Sequence, residues 1–403
     1  MALIPVSEAL ERVIAKAGPL PPETVPLAAA HGRVLAADLT ALRTQPPADV
    51  SAMDGYAVRA ADIAAAPVDL KITGEVAAGR PFAGSVHPGE AVRIFTGGVV
   101  PPGADTIVVQ EHTQREDDRV RVEKATPVNK HIRRAGLDFR TGDVLLPRGR
   151  LLTGRDVTLA AATNNATLPV ARRAKVAAFA TGDELVMPGS EPKPGQIVYS
   201  NGYAIAALAR SEGAEIVDLG IVPDRIEDTI AAIRRARASG ADVLVTTGGA
   251  SVGEYDLVHK AFAAEGLTLS FWKVALRPGR PLMHGLLGGM HVLGLPGNPV
   301  SAFVCAFLFL LPLLRRLAGR ADLIPETESA ELGIGLSAND ERADYLRATL
   351  APGPHGIPVA TPLPLQDSSL MHALAKADCL VIREPFEPAR RAGEACRILK
   401  LPL

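Results

Sequence analysis

From about residue 172 to residue 322 the chain alternates short apolar runs with helical patterns, the signature of an α/β unit with a mostly parallel sheet. Lys175 to Ala180, Ala214 to Ile221, Asp242 to Thr246 and Met290 to Leu295 are strand-length runs rich in apolar and β-branched residues. Helical periodicity falls between them at Asn201 to Glu212, at 225 to 238 with Asp224 as its N-cap, and at 256 to 264. The most apolar run, Val300 to Leu314, contains Pro312 and is too short to span a bilayer, so it reads as a buried helix. Outside this unit the period changes. Residues 1 to 17 are amphipathic and stop at Gly18-Pro19. Residues 68 to 150 are short apolar runs punctuated by Gly and Pro, the pattern of a separate β domain. Residues 323 to 403 revert to short strands around a helix at 370 to 376, which predicts a small β-barrel or sandwich. The expected organisation is an N-terminal helical and β-rich region in two sub-domains (1–171), a central α/β domain (172–322) and a C-terminal β domain (323–403).

Composition narrows the class. With 403 residues, 47% hydrophobic and 22% charged, the chain is long enough for two or three domains with real cores. A formal charge of -1 gives no global attraction for nucleic acid, so any anion site is local. The three cysteines, Cys305, Cys379 and Cys396, are odd in number and widely spaced. They form neither a disulfide framework nor a CxxC metal site, and point to a reducing compartment, the cytoplasm. The first 18 residues carry Glu8 and Glu11 and fit neither a signal peptide nor a transit peptide, and no membrane association is expected.

Candidate chemistry concentrates at strand ends. The run Asp242 to Thr246 breaks into Thr247, Gly248, Gly249, Ser251 and Gly253, glycines that let backbone approach a ligand and hydroxyls beside the unpaired N–H groups of a helix start. That suits an anion, yet Glu254 and Asp256 follow, which suits a divalent cation or a proton transfer as well. A plain turn with an acidic first helical turn remains the alternative. A second polar strand end, Thr181-Gly182-Asp183-Glu184, belongs to the same sheet, and open α/β sheets bind ligands outside the carboxyl ends of their strands. Asp54 stands in an Asp-Gly turn that is common for structural reasons alone. Arg133, Arg134 and Asp138 form either a site or a solvated charge run. Lys273, Arg277 and Arg280 surround a Pro-Gly turn, either an oxyanion site or a basic surface turn.

Taken together, Ser51-Ala-Met-Asp-Gly-Tyr-Ala, Ile94-Phe-Thr-Gly, Thr181-Gly-Asp-Glu-Leu, Thr247-Gly-Gly-Ala-Ser-Val-Gly-Glu-Tyr-Asp, Pro278-Gly-Arg-Pro and Leu295-Pro-Gly-Asn-Pro-Val-Ser resemble the MoeA-like molybdopterin molybdenumtransferases, related to the E domain of gephyrin. The match spans nearly the whole chain, in order. The resemblance implies an elongated homodimer whose central three-layer α/β domain binds molybdopterin and whose C-terminal domain is a β-barrel. It implies insertion of molybdate into adenylylated molybdopterin, with Mg²⁺-dependent hydrolysis that releases AMP. By the same likeness Asp54, Asp138, Glu184, Asp224 and Asp256 are the catalytic acids, with Glu184 and Asp256 nearest the metal ion and Asp54 reaching the crevice from a partner subunit. Thr96, Thr247, Gly248, Gly249, Ser251, Gly253, Lys273, Arg277, Arg280, Arg347 and Ser368 are the substrate-binding set, Arg347 and Ser368 handling molybdate. The chain departs from the family in having arginines at 277 and 280 where lysines are frequent, and Gln366-Asp-Ser where Gln-Gly-Ser is usual.

Two other functions fit parts of this pattern. One is the sibling reaction, adenylylation of molybdopterin, since the central domain resembles that of the adenylyltransferases; a protein of that kind is also an expected docking partner. The other is a non-catalytic dimeric scaffold. Against the first stand residues 1–171 ahead of the central domain and the continuation Gly249-Ala-Ser-Val-Gly-Glu-Tyr-Asp, where the adenylyltransferases are usually single domains with Thr-Gly before an Arg-Asp. Against the second stands the presence of all five acids, and molybdate cannot be told from tungstate by sequence.

Overall fold

In the computed structural model, which describes residues 3–77, 79–248, 257–353 and 356–402, the central unit is a six-stranded sheet. Its order is Glu215–Val222, Lys175–Thr181, Val243–Thr247, Met290–Leu295, Pro281–Leu287 and Thr268–Lys273. The first four strands are parallel and the last two run antiparallel to their neighbours. Val243–Thr247 and Met290–Leu295 are buried along their whole lengths, which is why they read as continuous rather than alternating apolar runs. Alternate residues then serve two cores. Val176, Ala178, Val243, Val245, Leu293 and Leu295 pack under helix Asn201–Ser211 and the apolar helix beginning at Pro299. Ala177, Phe179, Leu244 and Val292 pack on the opposite face under Ile226–Ala238 and Leu257–Ala264.

The apolar helix runs Pro299–Leu317, 19 residues, and is long and apolar enough to cross a membrane by length and composition. The sequence reads a buried helix over 300–317, which the structure matches to within a residue; only the reading of its apolar part as too short to span a bilayer is corrected. Burial of 83% of its apolar window identifies it as the core helix of the central unit. Its turns widen to the π type over Ala306–Leu310, just before Pro312. A proline there cannot donate to the carbonyl one turn back, and the wider turns accommodate it without breaking the helix. The opening helix, Val6–Ala15, lays Ala9 and Val13 into this same core, and Ile4 bridges Val274, so the N-terminus is built into the central unit.

The β-rich N-terminal region carries a six-stranded sheet in the order Thr106–Val109, Gly55–Val58, Glu90–Ile94, Val68–Val76, Arg119–Val122 and Thr113–Glu116. A second piece pairs Pro22–Pro26 with Thr167–Ala171 and packs under helix Gly154–Ala162. That helix is started by a capping box between Thr153 and Asp156. The C-terminal region is a closed five-stranded barrel: Ala343–Ala351, Val359–Pro362, Thr327–Leu332, Ala395–Lys400 and Cys379–Arg383, which returns to pair with Ala343–Ala351. From the sequence the Thr327–Leu332 strand is expected at Glu331 to Leu336, four residues later. Its first three residues, Thr327, Glu328 and Ser329, face solvent and carry no apolar signal. Leu276–Arg277 adds a short parallel strand to the barrel beside Ala343 and Asp344, joining barrel to sheet. All three cysteines are free.

Candidate functional site

Strand Lys175–Thr181 opens the sheet, the chain steps outward to Glu215–Val222, then crosses back to Val243–Thr247 on the other side. The connections therefore diverge between the carboxyl ends of Lys175–Thr181 and Val243–Thr247, which is where open sheets leave a crevice. A cavity of about 410 Å³ lies there. Ala180, Thr181, Thr247 and Gly248 form its floor, Tyr199 to Asn201 and Gly297 to Pro299 its walls, and Glu184 its mouth; Ser369 and Met371 of the C-terminal region close it. Gly248 has φ +85°, and a Cβ there would stand 2.5 Å from the Thr181 carbonyl oxygen, so the floor requires glycine. The buried Thr181 hydroxyl has no hydrogen-bond partner. The expectation that two glycine-bearing turns face one crevice is met for Thr181-Gly182 and Thr247-Gly248. Gly249, Ser251, Gly253 and Asp256 lie outside the described residues.

Of the expected acids, Glu184 and Asp224 lie near enough at this edge for their charges to interact, with Asp183 in contact with Asp224. The Asp224 N–H donates to Asp183 Oδ1 at 3.1 Å. Burial is the main reason the Asp224 carboxyl is held above its usual range; the charges of Asp183 and Glu184 act in the same sense. The N-cap reading of Asp224 is corrected. Helix Ile226–Ala238 begins after Arg225, whose extended backbone occupies the cap position with no side-chain cap bond. Among the described residues no group of three or more acids, histidines or cysteines is placed to hold a metal ion.

Across the crevice the barrel contributes a loop held from both sides. Asn298 Nδ2 donates to Ser368 Oγ at 2.7 Å and the Val300 N–H to the Ser368 carbonyl at 3.1 Å. On the other side the Arg347 N–H donates to Gln366 Oε1 at 3.0 Å, and Arg347 Nη2 donates to the Asp367 carbonyl at 3.2 Å. Arg347 is fully buried, yet its Nε and Nη1 have no partner. Burial pushes its pKa down, and the Asp367 charge only partly opposes this. The Asp367 carboxylate itself is occupied by the N–H and hydroxyl of Ser369.

Lys273 ends a strand that points the same way as Val243–Thr247, so the Lys273 to Arg280 turn sits at the crevice edge of the sheet. Within it Arg277 is already committed. Its guanidinium donates to both Asp344 oxygens at 2.6 and 2.5 Å, and also to Asp340 and Asn339. The N-terminal residues are elsewhere. Asp54 Oδ1 accepts the Thr96 N–H at 2.7 Å and the Thr96 hydroxyl at 2.8 Å, which hold the carboxyl below its usual range. Asp138 is exposed on the loop after Ile132–Arg133, and Arg134 is paired with Asp49. None of these N-terminal residues lines the crevice of its own chain.

Sequence reasoning missed Tyr199, Asn201 and Asn298 in the walls. Asn201 Nδ2 donates to the Gly297 carbonyl at 2.8 Å, which fixes the Pro-Gly-Asn-Pro turn. The signal was present, since Leu295-Pro-Gly-Asn-Pro is a third strand end of the same sheet.

Comparison with known proteins agrees with this architecture along the chain. Family models match in succession: the MoeA N-terminal region (domain I and II) over residues 4–164, a probable molybdopterin binding domain over 177–316, and the MoeA C-terminal region (domain IV) over 329–401. A molybdopterin molybdenumtransferase from Haemophilus influenzae is 35% identical over 384 residues, 94% of either chain. One from Nostoc is 40% identical over 306 residues, 74% of this chain and 70% of its own. The crystal structure of a molybdopterin biosynthesis MoeA protein from Pyrococcus horikoshii is similar with a TM-score of 0.86, 31% identity and coverage of 99% of both chains.

Proposed function

The chain belongs to the MoeA family of molybdopterin molybdenumtransferases, enzymes of molybdenum cofactor biosynthesis, and from that premise we propose the following reaction. It takes adenylylated molybdopterin and molybdate, places the metal at the dithiolene, and releases AMP by Mg²⁺-dependent hydrolysis of the pyrophosphate bond. The observation that carries this reading is the switch-point crevice, closed by the same barrel loop that contacts the buried, under-partnered Arg347. The floor suits a phosphate: Gly248 admits close approach, and the Thr181 hydroxyl is free to donate. Molybdate is an oxyanion, and its oxygens are the acceptors that the two unpartnered Arg347 nitrogens lack. With Arg277 held by Asp340 and Asp344, we assign the open cationic edge to Lys273 and Arg280, and Ser368 to the molybdate side.

Glu184 lines the crevice, and it and Asp183 are near enough for their charges to act on Asp224; these carboxylates are oxygen donors of the kind a hard cation takes, while no three of the described ones converge on one point. We assign Glu184 and Asp256 to Mg²⁺, which when bound offsets the charge of the pyrophosphate oxygens. Asp224, whose raised proton affinity suits proton transfer, takes a proton from the attacking water as that oxygen bonds phosphorus and the bridging P–O bond breaks. Asp54, Thr96 and Asp138 serve the crevice of a second copy in a homodimer, a reading supported by their absence from the lining of the crevice of their own chain. Delivery by docking of an adenylyltransferase, in the cytoplasm, completes the proposal.

The test is AMP release from adenylylated molybdopterin with Mg²⁺, with and without molybdate, in wild type, Glu184→Gln and Asp256→Asn. Molybdate-stimulated release that collapses in both folded variants is expected. Adenylylation of free molybdopterin from ATP, with no AMP release, would assign the sibling reaction instead.

A further inference from the structure

The N-terminal sheet holds a stacked cation that the reaction above does not use. Tyr56 and Arg93 stand opposite each other in the antiparallel register of Gly55–Val58 and Glu90–Ile94. Phe95 lies two residues beyond Arg93, so the alternation of a strand puts it on the same face. The Arg93 guanidinium carbon is 5.0 Å from the Tyr56 ring centroid and 4.9 Å from that of Phe95. Its Nη2 donates to Gln110 Oε1 at 2.8 Å and its Nη1 to the Gly55 carbonyl at 3.3 Å. The Gln110 N–H donates in turn to the Asp54 carbonyl at 3.1 Å. Among the described residues no carboxylate forms an ion pair with Arg93. The cation is thus fixed by two rings and two acceptors, with its charge uncompensated by contact.

What surrounds it is the backbone of Asp54. Gly55 follows Asp54, Gln110 binds its carbonyl, and Thr96, three residues after Arg93, binds its carboxylate. We propose that Arg93 is a positioning residue for Asp54: the stacked guanidinium ties down both the Gly55 carbonyl and the Gln110 side chain, and so aims an ionised carboxylate out of the sheet. This rests on the role given to Asp54 above. The charge of Arg93 acts on Asp54 in the same sense, after the larger effect of the two Thr96 hydrogen bonds. The other charged groups on neighbouring elements are Glu75, which stands beside Arg93 in the parallel register of Val68–Val76 and Glu90–Ile94, with Asp69 and Lys71 further along that strand, Glu90 on the strand of Arg93, Glu111 and His112 beyond Gln110, and His131 and Arg133 beside Val50–Ser51.

The experiment compares wild type, Arg93→Gln, Arg93→Lys, Asp54→Asn and the Arg93→Gln/Asp54→Asn double variant. It measures molybdate-stimulated AMP release across the acid-to-neutral range, with thermal melts of each. Expected for Arg93→Gln is a kcat loss of roughly tenfold to a hundredfold, the range for a misplaced catalytic group, with KM nearly unchanged. Its acid limb moves to higher pH, because a carboxylate that loses a nearby cation holds its proton more tightly. Arg93→Lys returns the acid limb but only part of kcat, since it keeps the charge and loses the fork. In the Asp54→Asn background Arg93→Gln adds no further loss. An unmoved acid limb, with Arg93→Gln and Asp54→Asn multiplying independently, would overturn the proposal while leaving the role of Asp54 intact. Full activity in Asp54→Asn would instead remove the reading on which the proposal rests.

Discussion

At the scale of single residues, a buried polar group without a partner costs stability. Arg347 keeps two guanidinium nitrogens in that condition inside the barrel, while Thr181 keeps a hydroxyl so at the crevice floor. Under the reaction proposed above, a ligand oxygen would supply the acceptor at both positions. His284 is a third such group with a different meaning. It is fully buried, its Nδ1 is unpartnered, and its Nε2 lies 3.2 Å from His291 Nδ1. Burial, with the neighbouring His291, drives its pKa down to about 3, so the folded state keeps this ring neutral where the unfolded chain would protonate it. Stability is therefore fully present above the unfolded value near 6.5 and is lost as pH falls toward 3. The slope is on the order of 1.4 kcal/mol per pH unit. Melting temperature against pH should fall more steeply in wild type than in His284→Leu over that window; parallel curves would show that the buried ring is not the source. The two histidines were within reach of the sequence, because Gly288-Gly289 turns Pro281–Leu287 into Met290–Leu295 and sets His284 diagonally across from His291.

Elements decide which of these residues can act together. Strand ends were legible: Glu184, Thr247 and Gly248 follow buried runs whose carboxyl ends had to face one edge. Long-range pairing was not. Nothing local to Arg277 announces that Asp344, 67 residues on, will accept both arms of its fork, because that depends on Leu276–Arg277 joining the barrel. The cap assigned to Asp224 failed for a nearby reason, since its N–H was drawn to Asp183 at the end of another strand. Close strand approach also sets the position of Asp54. A Cβ on Gly55 would stand 1.9 Å from the Val108 carbonyl oxygen, so Gly55→Ala must push Gly55–Val58 away from Thr106–Val109. Overpacking of this kind costs about 1–3 kcal/mol. A lower urea midpoint is expected for Gly55→Ala, with AMP release reduced beyond the loss of folded protein. An unchanged midpoint would mean that the strand pair yields freely.

On the scale of the whole molecule, a β-rich N-terminal region, a central α/β sheet and a C-terminal β domain were legible in changes of period along the chain, which left barrel and sandwich open for the last. What periodicity could not show is how the units join. The opening helix is built into the central core, and the barrel touches the crevice through Asn298 and Ser368. The crevice is therefore a property of the junction: the sheet lines it with Thr181, Thr247 and Gly248, the barrel with Ser369 and Met371, and the proposed reaction uses both. Replacing a buried charge by an apolar side chain of similar volume is often neutral or stabilising. Arg347→Met should thus fold at least as well as wild type while losing the anion. The measurement that tests this most directly is anomalous scattering at the molybdenum edge from molybdate-soaked crystals of wild type and Arg347→Met. A molybdenum peak beside Arg347 and Ser368, present in wild type and absent from a well-folded Arg347→Met, is the predicted result. A peak that persists at the same place without Arg347, or that appears away from the junction, would contradict it.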